Sequence, residues 1–202
     1  MQKVIGTMSI SLDGIGSGHN QTEERPFGDA PNDLLHQWMF ETPDENRAEI
    51  DAIVDAGAFV MGRNMFGPIR GEWRGDWTGW WGPNPPYHAP VFVLTHHPRE
   101  TIEMEGGTTF HFVTDGIESA LEQARDAAGT HNVHIAGGVS TINQYVGAGL
   151  IDELMLQISP TIVGGGLRLF DGVGPVDLEL LSTRGASVVT HVRYRVRRPG
   201  ES

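Results

Sequence analysis

The chain has 202 residues, 39% apolar and 20% charged, a formal net charge of −12 and no cysteine. That length allows one sizeable core, the missing cysteines exclude disulfides, thiolate nucleophiles and zinc–cysteine sites, and the acidic balance argues against a nucleic-acid partner. No apolar run reaches the roughly 18 residues of a membrane span, and "MQKVIGTMSISL" alternates rather than forming a leader's apolar core. A cytoplasmic protein without membrane contact is expected.

Taken in chain order, residues 3–12 read as a strand, followed by a polar, glycine-rich loop through Asp29. Helical spacing covers residues 33–41 and 46–56, the second stopped by Gly57. "AFVMG" (58–62) and "VFVLT" (91–95) are short continuous apolar runs, which suit strands buried on both faces. Between them lies the only compositionally biased segment, residues 67–90, rich in glycine, tryptophan and proline. Such a cluster of tryptophans pins a long loop to the core or to a partner subunit.

A strand is expected near residues 109–113 and a helix over 116–128, with Ile117, Ala120, Leu121 and Ala124 on one face. Residues 133–136 form the next buried strand and 140–146 a short helix. "IDELMLQISPTIV" begins a strand-rich end, closed by an antiparallel pair, "VDLELLSTRG" and "SVVTHVRYRV", with Arg184-Gly185 at or near the turn. Strand and helix alternate first and strands dominate last. That order implies one α/β domain over residues 1–202, with a mainly parallel sheet and antiparallel strands at one edge.

Three strand ends carry polar residues or glycines. At "VHIAGGVST" a strand meets Gly137-Gly138 and then a helix. The pair serves either as a tight turn or as a seat for a ligand's phosphates, where a Cβ would hold the anion away from the backbone. Ser140 or Thr141 is the candidate helix cap. The motif is neither a G-x-G-x-x-G fingerprint nor a Walker loop. At "FVMGRNMFG" a strand ends in Gly62 and Arg63 follows, with a guanidinium shaped for bidentate phosphate contacts. At "VFVLTHHPR" the end is Thr95-His96, with Arg99 near and His97 read as a loop residue.

In an open α/β sheet, ligands bind beyond the carboxyl ends of strands. If these three strands are neighbours, Arg63, Thr95, His96 and Arg99 surround a monophosphate such as the one that separates NADP from NAD. No metal site is expected, because H-x-x-H at His131 and His134 places one imidazole inside a strand and no strong ligand set appears. "DGIGSG" (13–18) reads as a mobile loop able to cover a ligand, and "VGGGLRLFDG" (163–172) as a structural bend, with substrate contact as the alternative.

Together "MSISLDG", "VMGRNMF", "VFVLTHHP" and "IAGGVSTINQYVGAGLIDELMLQISPTIVGGGLRLF" resemble the dihydrofolate reductase-like superfamily. Within it they resemble the branch of the reductase domain of the riboflavin-biosynthesis deaminase–reductase. The resemblance implies a dihydrofolate reductase-like fold: a central, mostly parallel twisted sheet with antiparallel C-terminal strands and helices on both faces. It also implies NADPH along the carboxyl rim, with Gly62, Arg63, Asn64 and Met65 at the adenosine phosphates. Thr95 and His96 would border the adenine ribose, and Ala136, Gly137, Gly138, Val139, Ser140 and Thr141 would hold the pyrophosphate. Met8 and Ile15 would approach the nicotinamide. A cis peptide is expected at Ala136–Gly137 or Gly137–Gly138, and a homodimer is implied.

Two departures stand beside the likeness. "NDLLHQWMFE" offers Asp33 and Glu41 without a match to the pterin-holding acid of true dihydrofolate reductases, and the tryptophan-rich insertion is no folate-enzyme feature. The expected activity is an NADPH-dependent reduction of a C=N or C=O group in a small pterin- or pyrimidine-like substrate. Its rival is a nucleotide- or ligand-binding protein without turnover. Asp13 is the candidate catalytic or substrate-orienting residue, with a turn role beside Gly14 as the alternative; Trp38 and Phe66 are candidates for the substrate side, with a core role as the alternative for each.

Overall fold

In the computed structural model, which describes residues 1–198, the first strand, β1 (Val4–Ser11), lies inside a nine-stranded sheet. Then come β2 (Ile15–Ser17), α1 (Asn32–Phe40), α2 (Arg47–Val54), β3 (Ala58–Gly62), α3 (Arg63–Phe66), β4 (Pro90–Leu94), β5 (Ile102–Glu103) and β6 (Thr109–Val113). The chain continues with α4 (Ile117–Ala128), β7 (Val133–Gly137), α5 (Val139–Gly147), β8 (Glu153–Ser159), β9 (Leu167–Arg168), β10 (Leu178–Gly185) and β11 (Thr190–Val196).

The strand order is β10-β11-β8-β1-β7-β3-β4-β6-β5, and the six strands from β8 to β6 run parallel. β11 and β10 add antiparallel strands beside β8, and β5 adds one beside β6. Antiparallel strands therefore sit at both edges, not at one. The second edge escaped the sequence pattern because two residues cannot show an alternation. The segment 13–18, expected as a mobile loop, instead pairs through β2 with β9.

Period-2 alternation divides the sheet's side chains between two cores. Val4, Val60, Val133 and Ile135 pack under α4 and α5, where Ala120, Leu121, Ala124 and Ile142 are buried. Tyr145 extends that packing and donates its hydroxyl to the Ile117 carbonyl at 2.7 Å. On the opposite side Phe59, Met61, Val91, Val93 and Phe110 are covered by Trp73, Trp77 and Trp81. The insertion thus supplies a hydrophobic cover for β3, β4 and β6. Trp77 Nε1 donates to Phe66 O at 2.9 Å and Trp73 Nε1 to His97 O at 2.8 Å, which gives each indole a polar partner.

Three expectations need correction here. Trp38 is fully buried, its Nε1 donates to Ser9 Oγ at 3.2 Å, and its ring stands edge-on to His191 at 5.1 Å. Ser9 faces α1 by the alternation of β1, so Trp38 anchors α1 to the sheet instead of lining a substrate bay. Phe66, also fully buried, meets Phe110 and Phe112 at 5.0 and 5.3 Å and belongs to the second core.

Asp13, the candidate catalytic residue, is a clamp and does not line the cleft described below. Its carboxylate accepts from Ser11 Oγ at 2.6 Å, Val163 N at 3.0 Å and Gly164 N at 2.8 Å. The Ser11 hydroxyl, then these two backbone amides, lower its pKa from the ordinary 3.8 to about 2. The Arg168 guanidinium donates to the Asp13 carbonyl, so the segment after β1 is tied both to β9 and to the loop that precedes it.

No helix among the described residues is long and apolar enough to cross a membrane. Replacing Trp38 by alanine is expected to cost about 3–5 kcal/mol, read from urea unfolding, because a large cavity opens and Ser9 loses its partner. The Asp13 clamp is full above its unfolded pKa of 3.8 and is lost as the pH falls towards 2. Protection of the Val163 and Gly164 amides, the observed exchange rate set against the intrinsic rate at each pH, should therefore fall between about pH 4 and 2 in the wild type. In D13N these amides should already exchange fast at neutral pH.

Candidate functional site

Parallel registry brings the strand ends together. Val4 pairs with Val133 and Gly6 with Ile135, and beyond this ladder Met8 Sδ lies beside Gly137 on the neighbouring strand. On the other side β7 pairs with β3, and β3 with β4 as far as Gly62↔Leu94. The ends of β1, β7, β3, β4 and β6 therefore form one continuous rim. Along it runs a cleft of ≈ 1150 Å³.

Met8, Gly62, Arg63, Asn64, Met65, Thr95, His96, Gly138, Val139, Ser140 and Thr141 all line this cleft. Ile15, Ala136 and Gly137, proposed with them, do not. Ile15 is buried in the small ribbon and its neighbours Gly16 and Ser17 take its place in the wall. Gly137 lies just beneath the surface, where an added Cβ would stand 3.4 Å from Met8 Sδ and 3.8 Å from Met65 Sδ. The peptide between Gly137 and Gly138 is cis.

Gly138 is the N-cap of α5, and no side chain caps that helix, so neither Ser140 nor Thr141 performs the expected capping. The first-turn amides of a helix lack intrahelical acceptors. The helix dipole adds positive character at the same point. A Cβ on Gly138 would meet no atom within 4 Å, so the space above this backbone is open to a ligand. Gly62 has the opposite reason to be glycine: a Cβ there would approach Thr141 Oγ1 to 2.3 Å, so it lets β3 pack closely on the start of α5.

The charged side chains of the wall are cationic. Arg63 Nε donates to Ile69 O at 3.1 Å and Nη1 to Thr95 Oγ1 at 3.3 Å, while its buried Nη2 has no partner. Arg70 donates to Gln21 Oε1 at 2.7 Å and to Gly67 O at 3.1 Å. Neither arginine forms an ion pair with a carboxylate among the described residues. Burial, then the charge of Arg70, lowers the pKa of Arg63; Glu72 opposes this and Arg99 adds to it. A guanidinium stays protonated at neutral pH through such a shift. Arg99, expected in the same group, does not line the cleft; its guanidinium lies 4.9 Å from the Trp73 ring centre.

His96 is exposed in the wall, and His97 Nδ1 pairs with Glu72 Oε1 at 2.9 Å. Among the described residues, no aspartate or glutamate lines the cleft. His134 is buried with its Nδ1 3.0 Å from Ile53 O, and no group of three or more potential ligands for a metal occurs among the described residues.

Sequence reading missed one whole wall. His19, Asn20, Gln21, Pro26 and Phe27 line the cleft from the loop after β2, and Phe40, Arg70 and Trp80 join them. Gln21 holds that loop in place, because its Nε2 donates to Asn64 O at 2.8 Å as well as to Pro26 O at 2.6 Å. Arginine or glutamine in a glycine-rich loop carries no local signal. Only the long-range contacts place these residues.

Known proteins share this fold. A crystal structure of a putative riboflavin biosynthesis protein from Shewanella sp. PV-4 is 21% identical, with a TM-score of 0.66 over 98% of this chain and 100% of that one. The deaminase/reductase of Thermotoga maritima is 17% identical at a TM-score of 0.63, over 97% of this chain and 57% of that one. Dihydrofolate reductase from Enterococcus faecalis, complexed with NADP(H), is 15% identical at a TM-score of 0.56, over 97% of each chain. The uncharacterised protein YyaP of Bacillus subtilis (strain 168) is 22% identical over 188 residues, which is 91% of this chain and 88% of YyaP. The fold is therefore dihydrofolate reductase-like. With residues 2–192 matching the RibD C-terminal domain, the chain belongs to that family.

Proposed function

We propose that the chain is an NADPH-dependent reductase acting on a C=N or C=O group of a small, flat, pterin- or pyrimidine-like substrate. The observation that carries this reading is the cleft itself. Two arginines, neither ion-paired with a carboxylate among the described residues, line it in a chain of net charge −12, beside the open backbone of Gly138. A cationic cleft on an acidic protein concentrates anions where the rest of the surface repels them.

The residues present fit NADPH. Arg63 with Thr95 and His96 would hold the 2′-phosphate and adenine ribose, and Gly138 to Thr141 the pyrophosphate. Met8 would border the nicotinamide from β1. Bound NADPH would supply the hydride. The protein's part is to orient the two partners and exclude water. Phe27, Phe40 and Trp80 give the wall aromatic surface for a planar ring. With no carboxyl group in the wall, the proton reaches the reduced atom from water or from an imidazole such as His19.

That missing carboxyl group favours a second reading, in which the cleft binds a nucleotide without turnover. Titration with NADPH, followed by its oxidation against a panel of pterins, aminopyrimidines and quinones, separates the two. Oxidation with one class supports the reductase, whereas tight binding with none supports the second reading. Absence of NADPH and NADP binding at micromolar concentration removes both.

Arg63→Ala should weaken NADPH by about 10- to 100-fold, from the loss of charge-assisted hydrogen bonds. NADH should change by less than about threefold, since it lacks the group that Arg63 would hold. Equal losses would contradict the phosphate role. The proposed homodimer would cover Leu12 and Ile162, two apolar side chains 67% and 73% exposed. Sedimentation should show twice the chain mass, and L12D with I162D should return it to the monomer.

A further inference from the structure

We infer that Trp73, from the segment between α3 and β4, is a positioning residue that holds Arg63 ready for a dianion without neutralising it. The inference rests on the proposed phosphate role of Arg63. Trp73 does not line the cleft, so it acts through the arginine.

The geometry is a closed ring of four residues. The Arg63 guanidinium carbon lies 3.8 Å from the centre of the Trp73 ring. Trp73 Nε1 donates to His97 O at 2.8 Å, and His97 N donates to Thr95 Oγ1 at 3.1 Å. Thr95 Oγ1 in turn accepts from Arg63 Nη1 at 3.3 Å. The indole is fixed on its other sides, edge-on to Phe66 at 5.9 Å and to Phe112 at 5.1 Å. The ring therefore has little freedom, and neither has the guanidinium stacked on it.

The chemistry of the partner matters. A carboxylate would also fix an arginine, but it would occupy the N–H groups and cancel the charge that an anion needs. An indole face attracts the cation through its quadrupole and takes no N–H. Arg63 keeps its positive charge, and no ion pair competes for it among the described residues. Arg99 approaches the same ring at 4.9 Å, so a second positive charge shares this indole. Trp73 thereby turns a loop residue of the insertion into part of the anion site's scaffold.

The test uses the full chain and two probes, adenosine 2′,5′-bisphosphate and adenosine 5′-monophosphate, titrated by calorimetry. Trp73→Leu should weaken the bisphosphate about tenfold and the monophosphate less than about twofold. Trp73→Phe, which keeps an aromatic face, should stay within about threefold of wild type for both. In an Arg63→Ala background, Trp73→Leu should add no further loss, because its effect runs through Arg63. Trp73→Met fills the space without a π face and is read instead if the leucine variant does not fold.

Equal weakening of both probes, no weakening, or an additive loss in the Arg63→Ala background would each overturn the role of Trp73. Should Arg63→Ala itself fail to discriminate the probes, the phosphate reading falls and this inference with it. If Arg63→Ala discriminates and Trp73→Leu does not, only the inference falls.

Discussion

Parallel pairing of β1, β7, β3, β4 and β6 is the constraint on which the rest of this molecule depends. A parallel ladder points every carboxyl end the same way, so each segment that leaves a strand leaves over the same rim. Glycine at two of those ends then does two different jobs. Gly62 permits β3 to touch the first turn of α5, and Gly138 leaves backbone exposed to whatever enters the cleft. Moving any one strand out of this order would scatter Met8, Arg63, Thr95 and Ser140 over the surface.

Covering the sheet is the second requirement, because strands buried on both faces need apolar layers on each. Helices α4 and α5 provide one layer in the usual way. The opposite layer over β3, β4 and β6 is built from Trp73, Trp77 and Trp81 instead. Aromatic rings can serve there because each is large and two of the indoles also hydrogen-bond to backbone carbonyls. Since this layer reaches the cleft at Trp80 and Arg70, packing and ligand chemistry are coupled through one segment.

Asp13, Trp38 and Phe66 show why nearness to the rim in sequence is a poor guide to function. Each lies within a few residues of a cleft-lining position, and each faces away from the cleft. Asp13 spends its oxygens on Ser11, Val163 and Gly164, partners that its own neighbourhood does not reveal beyond Ser11. Trp38 and Phe66 are turned to the sheet by helix geometry. A large apolar side chain gains more from complete burial than from lining a wet cleft.

The amino-acid sequence by itself determined the local elements and the strand ends where chemistry gathers. Apolar runs broken by glycine are short-range features, legible at "VMGRN", "VLTHH" and "IAGGVST". The ordered likeness to a known fold added the expectation that these ends meet. Only the tertiary structure decided the strand order, the wall formed by residues 19–27, and the stacking of Trp73 on Arg63. These depend on contacts between segments far apart in the chain: Arg63 reaches Thr95 across 32 residues and Arg70 reaches Gln21 across 49. Periodicity reports which face a residue takes within its own element. It carries no information about which distant element will stand opposite.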